Sequence, residues 1–259
     1  MSPYKNLRSF ATLKRIVARL RGPRGCPWDR AQTPASLKTS FLEEAYEVLE
    51  AIDKNDTNAL RDELGDLMLH VMLQAQMASE AGRFEIDDVL EGINRKLIHR
   101  HPHVFGGIKV NGAEDVIANW EVLKREERPE GKSLMDSVPD QLPALAQANS
   151  LQRRAANVGF DWPEGSGIMD KLSEEVSELE KAASREEKAK EFGDVLFTLV
   201  NIARRWDIDL EAALREANKR FAGRFRYMEE LCRKRKLKFE KLTLDEQNAL
   251  WDEAKKKVR

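Results

Sequence analysis

The sequence predicts an all-α protein made of two tandem helical bundles. Three observations carry this. Long segments rich in Leu, Ala, Glu, Lys and Arg, all strong helix formers, lie between clusters of Gly and Pro. Apolar residues recur at helical spacing, as in Leu172, Val176 and Leu179 or Phe192, Val195, Leu196 and Leu199. A set of motifs occurs twice in the same order. Runs of alternating β-branched residues, the mark of strands, are missing.

The Gly/Pro clusters at 22–27, 102–112, 129–131, 139–143 and 163–167 break the chain into about eight to ten expected helices. Residues 129–143 read as a linker between an N-terminal unit, 1–128, and a C-terminal unit, 144–259. Glu43-Glu44-Ala-Tyr-Glu47 is matched by Glu174-Glu175-Val-Ser-Glu178, and Glu63-Leu-Gly65-Asp66 by Glu191-Phe-Gly193-Asp194. Asn94, Lys96 and Arg100 follow in the first half, and Asn218, Arg220 and Arg224 in the second. Trp120-Glu121 and Trp251-Asp252 close the two series. Four features in one order argue for a duplicated unit of about 130 residues.

Composition narrows the function. The 259 residues hold 44 basic and 45 acidic side chains, a net charge of −1, so the footprint of a nucleic-acid coat protein is lacking and no polymeric nucleic acid is expected as partner. The longest uncharged run, Leu67 to Ser79, is interrupted by His70, Gln74 and Gln76 and is too short to span a membrane. Two cysteines far apart, Cys26 and Cys232, exclude a disulfide framework. With no secretory signal at the N-terminus, a cytoplasmic protein is expected.

The acids suggest the chemistry. Glu175 and Glu178 are three apart, so on a helix they share a face, with Glu174 beside them. Glu191 and Asp194 share a face of the next helix, and the polar stretch Ser184 to Glu187 suits a turn between the two. Four carboxylates would converge there, and Glu44, Glu47, Glu63 and Asp66 repeat the construction. A glycine inside a helix costs about 1 kcal/mol. Gly65 and Gly193 therefore suggest close approach of another backbone or of a ligand. Converging acids repel unless a cation sits among them, and carboxylate oxygens suit Mg²⁺ or Mn²⁺. The competing reading of any one acid pair is a solvated helix face.

Other metal and phosphate motifs fail on their spacing. A di-iron bundle needs Glu-x-x-His, and none of His70, His99, His101 or His103 follows a glutamate by three. Gly131-Lys132-Ser133 resembles the tail of a phosphate loop, but Glu126 stands at the first glycine. His99, His101 and His103 suit a helix end beside Pro102 better than a zinc site. Two divalent ions balance about four carboxylates, so the filled nest would accept a triphosphate through the metals, with further cations near the phosphates. Arg220 with Arg224, and Lys96 with Arg100, are placed at helical spacing to supply them. Trp251 and Trp120 are candidates either to stack on a base or to pack in the core.

These motifs resemble the MazG family, nucleoside triphosphate pyrophosphohydrolases of the all-α type. The family pattern, Glu-Glu-x-x-Glu followed at a distance by Glu-x-x-Asp, occurs in both halves. Gly25-Cys26-Pro27-Trp28-Asp29-Arg30-x-Gln32-Thr33 and His101-Pro102-His103-Val104-Phe105 resemble marks of the N-terminal half of two-domain members, with Pro34 departing from the histidine that often follows Gln-Thr. The resemblance implies Mg²⁺-dependent hydrolysis of a nucleoside triphosphate to monophosphate and pyrophosphate, water attacking the α-phosphorus, in the service of nucleotide-pool housekeeping. It implies Glu175, Glu178, Glu191 and Asp194 as metal ligands and Glu174 as the residue that holds or activates the water. Lys171, Lys190, Asn218, Arg220, Arg224 and Trp251 would surround the nucleotide. In the first half Glu44, Glu47, Glu63 and Asp66 would bind metal, Glu43 would stand at the position of Glu174, and Asn94, Lys96, Arg100 and Trp120 would face nucleotide. Members are dimers with bundles built from both chains. A regulatory module that binds nucleotide or a partner without turnover, throughout or in one half only, uses the same acids, and both readings stay open at this stage.

Overall fold

The computed structural model describes residues 4, 6–127, 131–163 and 167–258, without the side chains of residues 118, 121, 125 and 126. The chain divides into two compact units, Met1–Glu127 and Arg128–Arg259. All regular structure among the described residues is helical.

The first unit contains α1 (Phe10–Arg21), α2 (Pro27–Ala31), α3 (Lys38–Asp53), α4 (Thr57–Glu80), α5 (Ile86–Arg100), α6 (Pro102–Phe105) and α7 (Ala113–Glu126). The second contains α8 (Ala144–Ala156), α9 (Ile168–Lys181), α10 (Arg185–Arg205), α11 (Leu210–Arg235) and α12 (Leu244–Lys257), with single 3₁₀ turns at Met135–Ser137 and Phe239–Lys241. Twelve α-helices exceed the eight to ten expected. The excess is α2 and α6, each begun by a proline at its first position. There the fixed φ and missing N–H of proline suit a helix start, so a cluster read as a breaker also nucleates a turn.

Two hairpins dominate. Lys54, Asn55 and Asp56 join α3 to α4, with Asn55 left-handed at φ 52° and the Asp56 carboxylate accepting from the N–H groups of Asn58 and Ala59. Ala182, Ala183 and Ser184 join α9 to α10. Such short connections make the joined helices antiparallel neighbours. The stretch Ser184 to Glu187, expected as the turn, instead opens α10. Ser184 Oγ accepts from Glu187 N–H, and the Glu187 carboxylate accepts from Ser184 N–H. This capping box satisfies helix-end donors that a turn would leave free.

The first core joins Val17 of α1, Leu37 just before α3, the α4 residues Met72, Leu73, Ala75 and Met77, and Ile86 of α5. The second joins Met228, Leu231 and Cys232 of α11 to Leu250 and Ala254 of α12. Within the stretch expected as linker, Val138 is buried, and Arg154 of α8 donates to the Ser137 hydroxyl and carbonyl oxygens. Cys232 is buried and Cys26 half-buried, and both are free thiols. No helix among the described residues is long and apolar enough to cross a membrane.

The segment from Gly25 to Thr33 folds back on α1. Cys26 N–H donates to Leu20 O, and the buried Arg21 guanidinium donates to the carbonyls of Asp29 and Gln32. Arg21 also pairs with Glu80 at 2.8 Å, holding that carboxyl below its usual range. A Cβ at Gly25 would lie 2.0 Å from the Leu20 carbonyl oxygen, so only glycine permits this approach. Gly25→Ala should cost about 1–3 kcal/mol through forced backbone movement. Gly107→Ala, where a Cβ meets nothing within 4 Å, should be near neutral. Paired thermal unfolding curves check this; equal midpoints for the two variants would contradict it.

Candidate active site

Each hairpin gathers acids between its helices. In the first, carboxylate oxygens of Glu44 on α3 and of Glu63 and Asp66 on α4 lie within 4.8 Å of one another. In the second, Glu175 and Glu178 on α9 meet Glu191 on α10 within the same limit. Glu47 lies close enough to Glu63 to push its carboxyl up, and Asp194 shares the Lys190 ammonium with Glu191, so all eight expected acids border the two nests. Glu43 and Glu174 are exposed, each one residue before a nest member.

The two nests differ in their cations. Lys171 Nζ stands 3.0 Å from Glu174 and 2.8 Å from Glu175. Lys190 Nζ stands 2.8 Å from Glu191 and 3.5 Å from Asp194. These hydrogen-bonded pairs push both ammonium pKa values up. Lysines expected around a nucleotide thus lie on the acids. In the first nest, among the described residues, none of Glu43, Glu44, Glu47, Glu63 and Asp66 has a lysine or arginine partner. Desolvation, with help from Asp66 and Glu47, pushes the Glu44 pKa up; desolvation and Glu47 do the same to Glu63. Carboxylates so placed favour a cation among them.

The remaining expected residues are dispersed. Asn94, Lys96, Asn218 and Arg220 are exposed, and the field of Arg220 falls on Glu216. Arg100 is held by Glu127. Arg224 Nε donates to the Val258 carbonyl at 3.1 Å, and its guanidinium lies 5.7 Å from the Trp251 ring centroid. Trp251 packs against the second core and Phe221, while Trp120 meets His101 edge-on with its indole N–H buried and unpartnered. Trp251 is thus packed within its own unit.

A MazG nucleotide pyrophosphohydrolase domain model matches residues 32–105, and a phosphoribosyl-ATP pyrophosphohydrolase model matches residues 150–221. The Thermotoga maritima nucleoside triphosphate pyrophosphohydrolase/pyrophosphatase MazG is 42% identical over 247 residues, covering 95% of each chain. The chain belongs to the MazG family. The Escherichia coli K12 nucleoside triphosphate pyrophosphohydrolase is 41% identical over 249 residues, covering 93% of this chain and 95% of that protein. The Bacillus subtilis protein YabN is 49% identical over 255 residues; these cover 96% of the chain but 52% of YabN, so the chain spans about half of that relative.

Two features of this MazG chain were not visible in the motifs. His70, four residues beyond Asp66, is buried beneath the first nest with Nε2 4.0 Å from Glu44, and its Nδ1 has no partner. Phe41 meets its ring edge-on. The i, i+4 spacing from Asp66 was the available signal. In the second unit a cavity of about 530 Å³ is lined by Gln152, Phe160, Trp162, Phe197, Asn201 and Arg204. Gln152 Oε1 and Arg204 Nε are buried there without partners. Neighbouring residues carried no motif that could announce it.

The glycines correct one expectation. A Cβ at Gly65 or Gly193 would meet nothing within 4 Å, so no second backbone of the chain crosses at either position.

The raised acids of the first nest carry a pH signature. A carboxyl whose folded pKa lies above its ordinary 4.5 stabilises the fold fully below that value. That contribution is lost as pH rises through the folded pKa. Metal-free protein at pH 7 should therefore gain about 2 °C in melting temperature from Glu44→Gln, and the gain should vanish below pH 4 or with saturating Mg²⁺. Calorimetry at the two pH values checks it; a loss of stability at pH 7 would contradict it.

Proposed function

We propose that the chain hydrolyses nucleoside triphosphates to nucleoside monophosphate and pyrophosphate, with Mg²⁺, or Mn²⁺ in its place, held by the acid nests. The observation that carries this is the pair of carboxylate sets, each drawn from two helices and converging within 4.8 Å. The donors fit a hard divalent ion: all are carboxylate oxygens, and Glu191 Oε2 is buried without a hydrogen-bond partner. In the second nest Glu175, Glu178, Glu191 and Asp194 are the ligands we propose, and in the first Glu44, Glu47, Glu63 and Asp66. A bound divalent ion neutralises phosphate charge and makes nearby water more acidic.

The side chains of the chain do the rest. Glu174, exposed beside Glu175, orients the attacking water and takes its proton; Glu43 has the equivalent place. Water attacks the α-phosphorus, the bond from that phosphorus to the bridging oxygen breaks, and pyrophosphate leaves with the bond electrons. Lys171 and Lys190, each tethered one helix turn or less from a ligand, turn their ammoniums to the phosphates. Asn201 lies seven residues beyond Asp194, two turns along one face of α10, or about 10 Å. The nucleoside end is thereby directed toward the cavity of Phe160 and Trp162.

Large apolar side chains remain exposed on the hairpins, among them Phe41, Tyr46 and Met68 in the first and Phe192 and Phe197 in the second. Patches of this kind mark association surfaces. We propose a homodimer in which a second copy covers them and brings Arg220, Arg224 and Trp251, or Lys96, Arg100 and Trp120, toward nucleotide. A cytoplasmic role in clearing the nucleotide pool fits this activity.

Pyrophosphate release from a panel of ribo- and deoxyribonucleoside triphosphates tests the reading. It should require Mg²⁺ and stop with EDTA. Glu178→Ala and Glu47→Ala, made singly, should each lower kcat by about 100-fold or more in the half that turns over. Full activity in both single variants and in the double variant would contradict the assignment, as would orthophosphate in place of pyrophosphate.

A further inference from the structure

The lysines separate two nests that are otherwise alike. Lys171 lies three residues before Glu174; the matching position, three before Glu43, is Ser40. Lys190 precedes Glu191; the matching residue before Glu63 is Asp62, whose carboxylate is held by Arg61. Five acids around the first nest thus stand without an ammonium or guanidinium partner among the described residues, whereas four of the five around the second, all but Glu178, share two ammoniums. Glu175, the most buried of the ten, is the one Lys171 holds at 2.8 Å.

We infer that the two nests load differently: the one between α3 and α4 takes a divalent ion alone, whereas the one between α9 and α10 takes its ion only together with the triphosphate, Lys171 and Lys190 serving as resident cations until phosphate oxygens draw them away. This rests on the functional reading above. An ion entering the second nest alone must break ion pairs already made and leaves two ammoniums beside it. With a triphosphate present, those ammoniums keep anionic partners, since a lysine is a point charge on a flexible four-carbon stem. Ion and nucleotide then favour each other's binding by the same factor, because the coupling is reciprocal. The first nest lacks these ammoniums, so its ion affinity depends little on nucleotide.

The test is Mn²⁺ uptake by the full chain without nucleotide, read from the free-ion EPR signal. Wild type should take up Mn²⁺, Glu47→Gln should lose that uptake, and Glu178→Gln should keep it. Lys171→Met with Lys190→Met should add a second class of sites, at least about tenfold tighter than in wild type, that disappears when Glu178→Gln is added. Lys171→Gln alone, a milder change, should add part of it. Binding of α,β-methylene ATP should tighten at least about tenfold with Mn²⁺ in Glu47→Gln, and this gain should be lost in Glu178→Gln. Overturning results are nucleotide-free uptake that halves in Glu178→Gln, no uptake by either nest, or lysine variants that add no site. If the analogue binds with none of these variants' effects, the inference alone falls; if neither analogue binding nor pyrophosphate release occurs, the functional reading falls with it.

Discussion

Repulsion between carboxylates that the fold forces together is the interaction on which the site depends. Helix α4 is anchored in the core by Met72, Leu73 and Met77, α3 lies along it, and the hairpin geometry sets Glu44 opposite Glu63 and Asp66. The same follows for α9 and α10, where Val200, Ile202 and Ala203 are buried on the helix that carries Glu191. Burial and mutual repulsion push the Glu44 and Glu63 carboxyls up, and the acids gathered in each half could hold a metal ion. The second half contains a provisional answer in Lys171 and Lys190; the first half contains none among its described residues.

Most of the site's framework was legible in the sequence because its signals are local. Helical spacing places Glu175 with Glu178, and Glu191 with Asp194, whatever surrounds them. The order of motifs exposed the duplication before any contact was known. What escaped was set by non-local packing or by local rules in competition. Pro27 and Pro102 look like breakers yet sit at helix starts. Ser184 and Glu187 look like turn residues yet form a cap. Gly65 and Gly193 suggested close approach of another backbone or of a ligand, and no other backbone of the described chain comes near either. His70 lay inside an apolar run, and only its i, i+4 spacing from Asp66 hinted at an imidazole under Glu44.

The tryptophans and arginines are engaged differently from the acids. Trp251 is wedged by Phe221 and covered by Arg224, and Arg100 is tied to Glu127. These three residues, expected at the nucleotide, have partners in their own unit. Meanwhile the hairpins that carry the acids leave Phe41, Phe192 and Phe197 in solvent. An unfinished apolar surface beside an unfinished electrostatic one is what a shared site between two copies requires. Membership in the MazG family is supported along nearly the whole chain.

Anomalous diffraction from a crystal grown with Mn²⁺ and α,β-methylene ATP addresses the central claim most directly. The account predicts density for the ion between α9 and α10, about 2.1 Å from oxygens of Glu175, Glu178 and Glu191. The Lys171 and Lys190 ammoniums should have moved from those carboxylates to phosphate oxygens. An ion bound elsewhere, with the lysines still on Glu175 and Glu191 and the nest closed around them, would contradict it.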